Sequence, residues 1–175
     1  NDDYSLNGDG SNFRVWTPIG IGYADYSGVF DGKGHTISGL YYNNTSGAEY
    51  MGLIGGCWLA CKVRNVGIID TYFHSKYGVG AIVGQFAGAI DNCYAQANLK
   101  GSQAGGLTGV GIIFNRSGRP VRNSWFAGKV SGGATNAIGK NINADNCYYD
   151  NTLFTGASTG TGKTSEEFAS GEVAY

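Results

Sequence analysis

The residues of this chain whose types and spacing suit chemistry lie in a few short stretches. "ASTGTGKT", Ala157 to Thr164, satisfies the loose form of a phosphate-binding loop, with Ala in place of the first Gly. Such a loop needs a buried strand before it, a full helix after it and a downstream acid for magnesium, but only 11 residues follow Thr164. Thr164 therefore reads as the N-cap of a short helix, with Glu167 completing a capping box and Phe168 packing on the end of the fold. "DGKG", around Asp31, offers glycines that let backbone amides approach an anion, and one carboxylate. Cys57 and Cys61 stand four apart, which is not a CxxC spacing, and only His35 and His74 are available to complete a zinc set. A disulfide across the turn between these two cysteines remains open. Asp2, Asp3, Asn7, Asp9 and Asn12 carry oxygens suited to calcium, without the spacing of a calcium loop or a Glu at its twelfth position. Asp70, Asp91, Asp145 and Asp150 are the carboxylates available for general acid–base or glycoside chemistry, yet they fall in different registers. With no HExxH and no set of nucleophile, base and orienter, the expectation is a protein without catalytic residues, metal or cofactor.

The elements that would position these residues follow from composition and repetition. A chain of 175 residues with 42% hydrophobic residues supports one packed domain. Gly at 31 of 175, with only two Pro and no G-X-Y period, demands many tight turns and excludes collagen. Twelve basic and thirteen acidic residues leave no basic face for nucleic acid. No apolar run approaches the ~20 residues of a membrane-spanning helix, so membrane insertion is not expected. The opening "NDDYSL" has no signal-peptide pattern, which suggests a piece of a longer protein.

Self-comparison gives the clearest pattern. "YSGVFDG", "YMGLIGG", "GVGAIVGQ", "AGGLTGV" and "TNAIGKN" align on Gly28, Gly52, Gly80, Gly106 and Asn136. Each is followed by "TISGLYY", "VRNVGII", "IDNCYAQ", "VRNSWFA" or "ADNCYYD", aligned on Gly39, Asn65, Asn92, Asn123 and Asn146. Short β-branched or aromatic blocks between Gly, Asn, Asp and Ser are strands between turns, and strands that repeat with the same motif stack in parallel at ~4.8 Å per rung. The fold expected is all-β, a parallel β-solenoid of about five rungs over residues 1–155, followed by a linker and a short C-terminal capping helix over 156–175. A β-sandwich is the rival.

Alternation assigns the faces. Leu40, Val66, Cys93, Ser124 and Cys147 form one interior column, and Tyr42, Ile68, Ala95, Phe126 and Tyr149 a second. Cys93 and Cys147, two rungs apart, are beyond disulfide reach and read as buried free thiols. The Asn column suits left-handed turns and rung-to-rung amide bonding. Between the interior columns, Tyr41, Tyr94, Trp125 and Tyr148 point outward, interrupted by Gly67. "FDGKGH" falls where "LIGGCW", "IVGQFA" and "LTGVGI" fall, so it reads as the turn of one rung.

These residues carry a resemblance. "WTPIG" (Trp16–Gly20), "YSGVFDGKGHTISGLYYNN" (Tyr26–Asn44), "YMGLIGG" with "VRNVGI", and the closing "KTSEEFASGEVAY" resemble the GLUG-motif repeats of large bacterial secreted and surface proteins. Thr108 departs from that pattern where an aliphatic residue or Phe is usual, and Asn136 where a Gly is. The resemblance implies a solenoid region in an extracellular protein of a class that looks like adhesins and includes immunoglobulin-A-cleaving metallopeptidases. It implies no chemistry in the repeats. The functional expectation is a non-catalytic stalk or adhesive surface with neighbouring domains in a larger chain. Its partner would be a host or bacterial glycan or a surface protein, met by Tyr41, Tyr94, Trp125 and Tyr148. The alternative is a carbohydrate-binding or carbohydrate-active β-helix domain.

Overall fold

The structure is a computed structural model that describes residues 12–21, 25–47, 50–112, 120–156 and 158–173. The calcium reading around Asp2, Asp3, Asn7 and Asp9 lies outside the described residues. The first turn of chain carries β1 (Val29–Ser38), β2 (Tyr41–Asn44), β3 (Tyr50–Met51) and β4 (Ile54–Cys57). The second carries β5 (Lys62–Ser75), β6 (Gly78–Val79) and β7 (Val83–Phe86), and the third β8 (Ala89–Asp91), β9 (Tyr94–Gly105) and β10 (Thr108–Gly111). β11 (Pro120–Asn136) and β12 (Gly139–Lys140) make the fourth. β13 (Asn143–Asp150), β14 (Thr161–Lys163) and the helix α1 (Ser165–Ala169) end the stack.

Every strand pair is parallel, which makes this a β-solenoid and not a sandwich. One sheet gathers ten strands, including the long β5, β9 and β11, and a second gathers β4, β7, β10 and β12. Ile19 extends the second sheet through a bridge to Ile54. Between the sheets lie Leu53, Ile54, Phe73, Ile82, Phe86, Leu107, Phe126 and Ile138, none more than 1% exposed. Because turns meet only their neighbours, each side chain packs beside the same position one turn away. Val66, Cys93, Ser124 and Cys147 do form a buried column: Ser124 pairs with Cys147, and its hydroxyl accepts the Cys93 amide at 3.1 Å.

The chain turns a corner at an asparagine within β5, β11 and β13 and between β8 and β9. Asn65, Asn92, Asn123 and Asn146 have φ of 53°, 52°, 48° and 51°, the left-handed region that Asn tolerates because its short amide bonds locally. The capping box at α1 is also present, with Thr164 Oγ1 accepting from the Glu167 amide and Glu167 from that of Thr164. Phe168 lies against Trp125 at 5.5 Å, on the outer face of the fourth turn and not on the end of the stack.

The expected columns need correction in the first turn and at one later glycine. Gly28 opens β1, whose Val29 pairs with Lys62, whereas Gly52 lies between β3 and β4; the two are not equivalent. "FDGKGH" pairs with "VRNV", since Asp31 faces Arg64 and His35 faces Val66, and not with the glycine turns of later repeats. Its two extra residues form the corner, with Lys33 at φ 55° and Gly34 at 81°, so the three residues 32–34, and not Gly39, stand opposite Asn65. Leu40, Tyr41 and Tyr42 move accordingly. Tyr41 pairs with Tyr72 and Tyr42 with Phe73, five residues beyond the expected partners. In the later repeats Asn136 pairs with Gly105, not Gly106. The displacement of Tyr41 and Tyr42 has a local cause: Ile69–Asp70 oppose the single residue Gln96, so a bulge present in the first two turns is deleted afterwards.

Candidate functional site

The corner asparagines define the site. Asn65 Nδ2 donates to Asp31 Oδ1 at 3.0 Å, Asn92 Nδ2 to Asn65 Oδ1 at 3.2 Å, and Asn146 Nδ2 to Asn123 Oδ1 at 2.8 Å. Each amide donates toward the preceding turn, so their dipoles align. The run is interrupted in the middle, where Asn123 Nδ2 donates to Asp91 Oδ1 at 3.4 Å and leaves Asn92 Oδ1 without it. Asp31 receives the far end of the run. The bond from Asn65, with the Lys33 amide and Lys33 Nζ also facing its carboxylate, holds the Asp31 pKa far below the usual range, and Arg64 Nε stands 3.1 Å from the same carboxylate.

Beside the asparagines runs a second alternation that the sequence reading missed. Asp31 faces Arg64, Arg64 faces Asp91, Asp91 faces Arg122, and Arg122 faces Asp145. Acid and base alternate over five turns, with nitrogen–oxygen distances of 3.1 Å for Arg64–Asp31 and 3.9 Å for Arg122–Asp145. Asp91 and Asp145 thus share a column, contrary to the expectation of different registers. The signal was present in "VRN", "IDN", "VRN" and "ADN", where the residue before each Asn reads Arg, Asp, Arg, Asp. The other two acids are placed elsewhere. Asp70 accepts from Ser38 at 3.0 Å, while Asp150, 4% exposed, accepts from Thr152 and Ser165 and so fastens α1 to the last turns.

Of the four aromatic residues expected to form one outward row, the structure brings together three. Thr36, Gly67, Tyr94, Trp125 and Tyr148 are level with one another on successive turns. Tyr41 belongs to a separate stack, with Phe13 at 5.2 Å and Tyr72 at 5.9 Å, and is only 8% exposed. The interruption at Gly67 has a use. A Cβ there would collide with the Tyr94 ring, so its absence lets the ring lie across the turn and the hydroxyl reach Thr36 Oγ1 at 2.6 Å. Tyr94 and Trp125 stack at 4.7 Å and 14°, and Phe168 meets Trp125 edge-on. The facing surfaces of Tyr94 and Trp125 are therefore spent on each other.

Asparagine corner and aromatic row enclose a groove of about 280 Å³. Asn92, Asn123 and Asn146 line one wall, Tyr94, Trp125 and Tyr148 the other, and Val173 contributes from the C-terminal segment. Tyr148 donates to Asn146 Oδ1 at 2.8 Å and bridges the walls at the fifth turn. Among the described residues none with a charged side chain lines the groove.

The cysteines have no place in a reactive site. Cys57 and Cys61 form a disulfide, with Cα atoms 5.4 Å apart. Cys93 and Cys147 are free and buried, and burial pushes the Cys93 thiol up to about 12. Among the described residues no cluster of three His, Cys, Asp or Glu is placed to hold a metal ion. None of their helices is long and apolar enough to cross a membrane.

Fold and groove define the class as a parallel β-solenoid whose outer corner carries a polar, uncharged groove. Comparison with known proteins adds partial relatives. No family model matches the chain, and no solved structure matches it. Halomucin of Haloquadratum walsbyi is 33% identical over 110 residues, covering 62% of this chain and 1% of that protein. A protein of Evansella cellulosilytica named as a Gly-rich membrane protein is 35% identical over 80 residues, covering 44% of this chain and 9% of its own length. The chain is thus similar to small parts of much longer proteins.

Proposed function

We propose that this solenoid is a non-catalytic module of a bacterial cell-surface or secreted protein, displayed outside the cell as a stalk with an adhesive face. The observation that carries the reading is the similarity of one self-contained parallel stack to about 1% and 9% of two longer proteins, one of them named for a membrane. A module that adds turns along one axis builds length without a new core, which suits a stalk. The disulfide supports an oxidising location. The GLUG-like repeats support the same placement. A carbohydrate-active role draws less support, because glycoside hydrolysis needs two carboxyl groups aimed at one bond, whereas Asp91 and Asp145 are separated by Arg122. Antibody raised against the folded domain tests the proposal on cells of the source organism. It should label intact cells or recover the parent protein from the medium; labelling only after permeabilisation would overturn the reading.

A further inference from the structure

We infer that the groove between the asparagine corner and the Tyr94–Trp125–Tyr148 row is a binding site for a neutral carbohydrate; this names a ligand class for the adhesive face and rests on the surface-module reading. The chemistry of the walls selects the ligand. Each Asn amide has two N–H donors, and the bonds between turns use one of them, which leaves a second on Asn92, Asn123 and Asn146. The break in the run adds an acceptor, since Asn123 turns to Asp91 and away from Asn92 Oδ1. A wall of amides that both donate and accept matches vicinal hydroxyls, which do the same. No described lining residue carries a charged side chain, and the neighbouring column holds three acids to two bases, so a phosphate or an anionic sugar finds no counter-charge.

An extended peptide fits less well. Peptides add to sheets through free main-chain groups, but the groove floor has spent its own between turns: Trp125 donates to the Cys93 carbonyl at 3.1 Å and Asn92 to the Arg122 carbonyl at 3.1 Å. Recognition is left to side chains. The opposite wall presents mainly ring edges, because Tyr94 and Trp125 face each other, and the positive edge of an aromatic ring favours hydroxyl oxygens. At about 280 Å³ the groove sits at the lower end of small-ligand sites, room for one or two sugar rings. The Tyr148–Asn146 bond ties the two walls together and Val173 narrows the same groove, which favours the end of a glycan over the middle of a chain.

Trp125→Ala is a poor test, because the ring also supports Tyr94 and Phe168. Asn92→Gly and Asn123→Gly are better. Glycine adopts the same positive φ without strain and removes only the amide. The domain is applied to a printed array of neutral and sialylated oligosaccharides, and the neutral oligosaccharide with the strongest signal is then titrated in solution. The expected result is binding to neutral glycans, weakened at least tenfold in each variant while the variants still unfold cooperatively. In the unmodified domain the side-chain amide resonances of Asn92 and Asn123 should shift on titration, a readout that does not depend on the variants folding. Silence on neutral glycans, binding to sialylated glycans alone, or amide resonances unmoved at saturation would each overturn the inference. A silent array with surface-labelled cells would sink the carbohydrate site and leave the surface module standing.

Discussion

Thr108 shows how one side chain can disagree with its surroundings. It pairs with Val83 and Gly139 in the second sheet, is fully buried, and its hydroxyl has no hydrogen-bond partner. A buried hydroxyl without a partner carries a desolvation cost of about 1–3 kcal/mol. Thr108→Val keeps the branched shape and removes that cost, so the domain should gain about 1 kcal/mol, read as a higher urea midpoint with an unchanged slope. A loss of stability would mean that an ordered water serves the hydroxyl. The departure of Thr108 from the aliphatic pattern was visible in the sequence; that nothing answers its hydroxyl was not, because burial alone does not reveal partners. Asn65, Asn92, Asn123 and Asn146 were legible in both type and role, since few residues other than Gly take a left-handed corner readily. Tyr41 was not. Its chemistry matches Tyr94, and only the bulge at Ile69–Asp70 shows that it sits at a different corner.

At the scale of elements, the corner between β4 and β5 is the one closed by a covalent bond. Cys57 ends β4, Cys61 precedes β5, and the short loop between them exposes Leu59 at 65% and Trp58 at 38%. Later turns cross the same corner with small residues such as Ala87 and Gly88, and a Cβ at Gly88 would press on Cys57 Sγ. Closing so short a loop restricts the unfolded chain by about 2 kcal/mol. Reduction should therefore lower Tm by about 4–8 °C, measured by calorimetry with and without a phosphine reductant. No change would show that the loop is held by packing alone. The sequence made the repeating strands and the C-terminal capping box readable because both depend on short-range chemistry. It did not make the register of β1 readable, because "DGKG" has the look of the glycine turns yet inserts two residues opposite Asn65. The aromatic half of the groove was partly legible as an outward row. Its asparagine half was read as structural only, since the interrupted amide run depends on the position of Asp91.

Across the whole molecule, the column Asp31–Arg64–Asp91–Arg122–Asp145 fixes which turn lies beside which. Neighbouring turns carry similar hydrophobic residues, so core packing alone discriminates weakly against a shift of one turn. Alternating charge supplies the discrimination, because such a shift sets like beside like. Arg122→Glu would place three acids in succession, and with Arg122 and Asp145 partly solvated it should cost about 1 kcal/mol at low salt. The cost should shrink in about 1 M NaCl, where charges are screened within ~3 Å. A cost independent of salt in urea titrations would mean that Arg122 acts through packing. Parallel stacking, finally, determines how such a body responds to tension. Pull β1 and β14, at opposite ends of the long sheet, away from each other and the force peels one turn at a time, instead of breaking all the ladders together. Successive corners are 27 residues apart at the second-to-third step, 31 at the third-to-fourth and 23 at the fourth-to-fifth. Each escape thus releases about 80–110 Å of extended chain. A tether made of such turns would act as a shock absorber, yielding in steps while the turns still folded keep their grip.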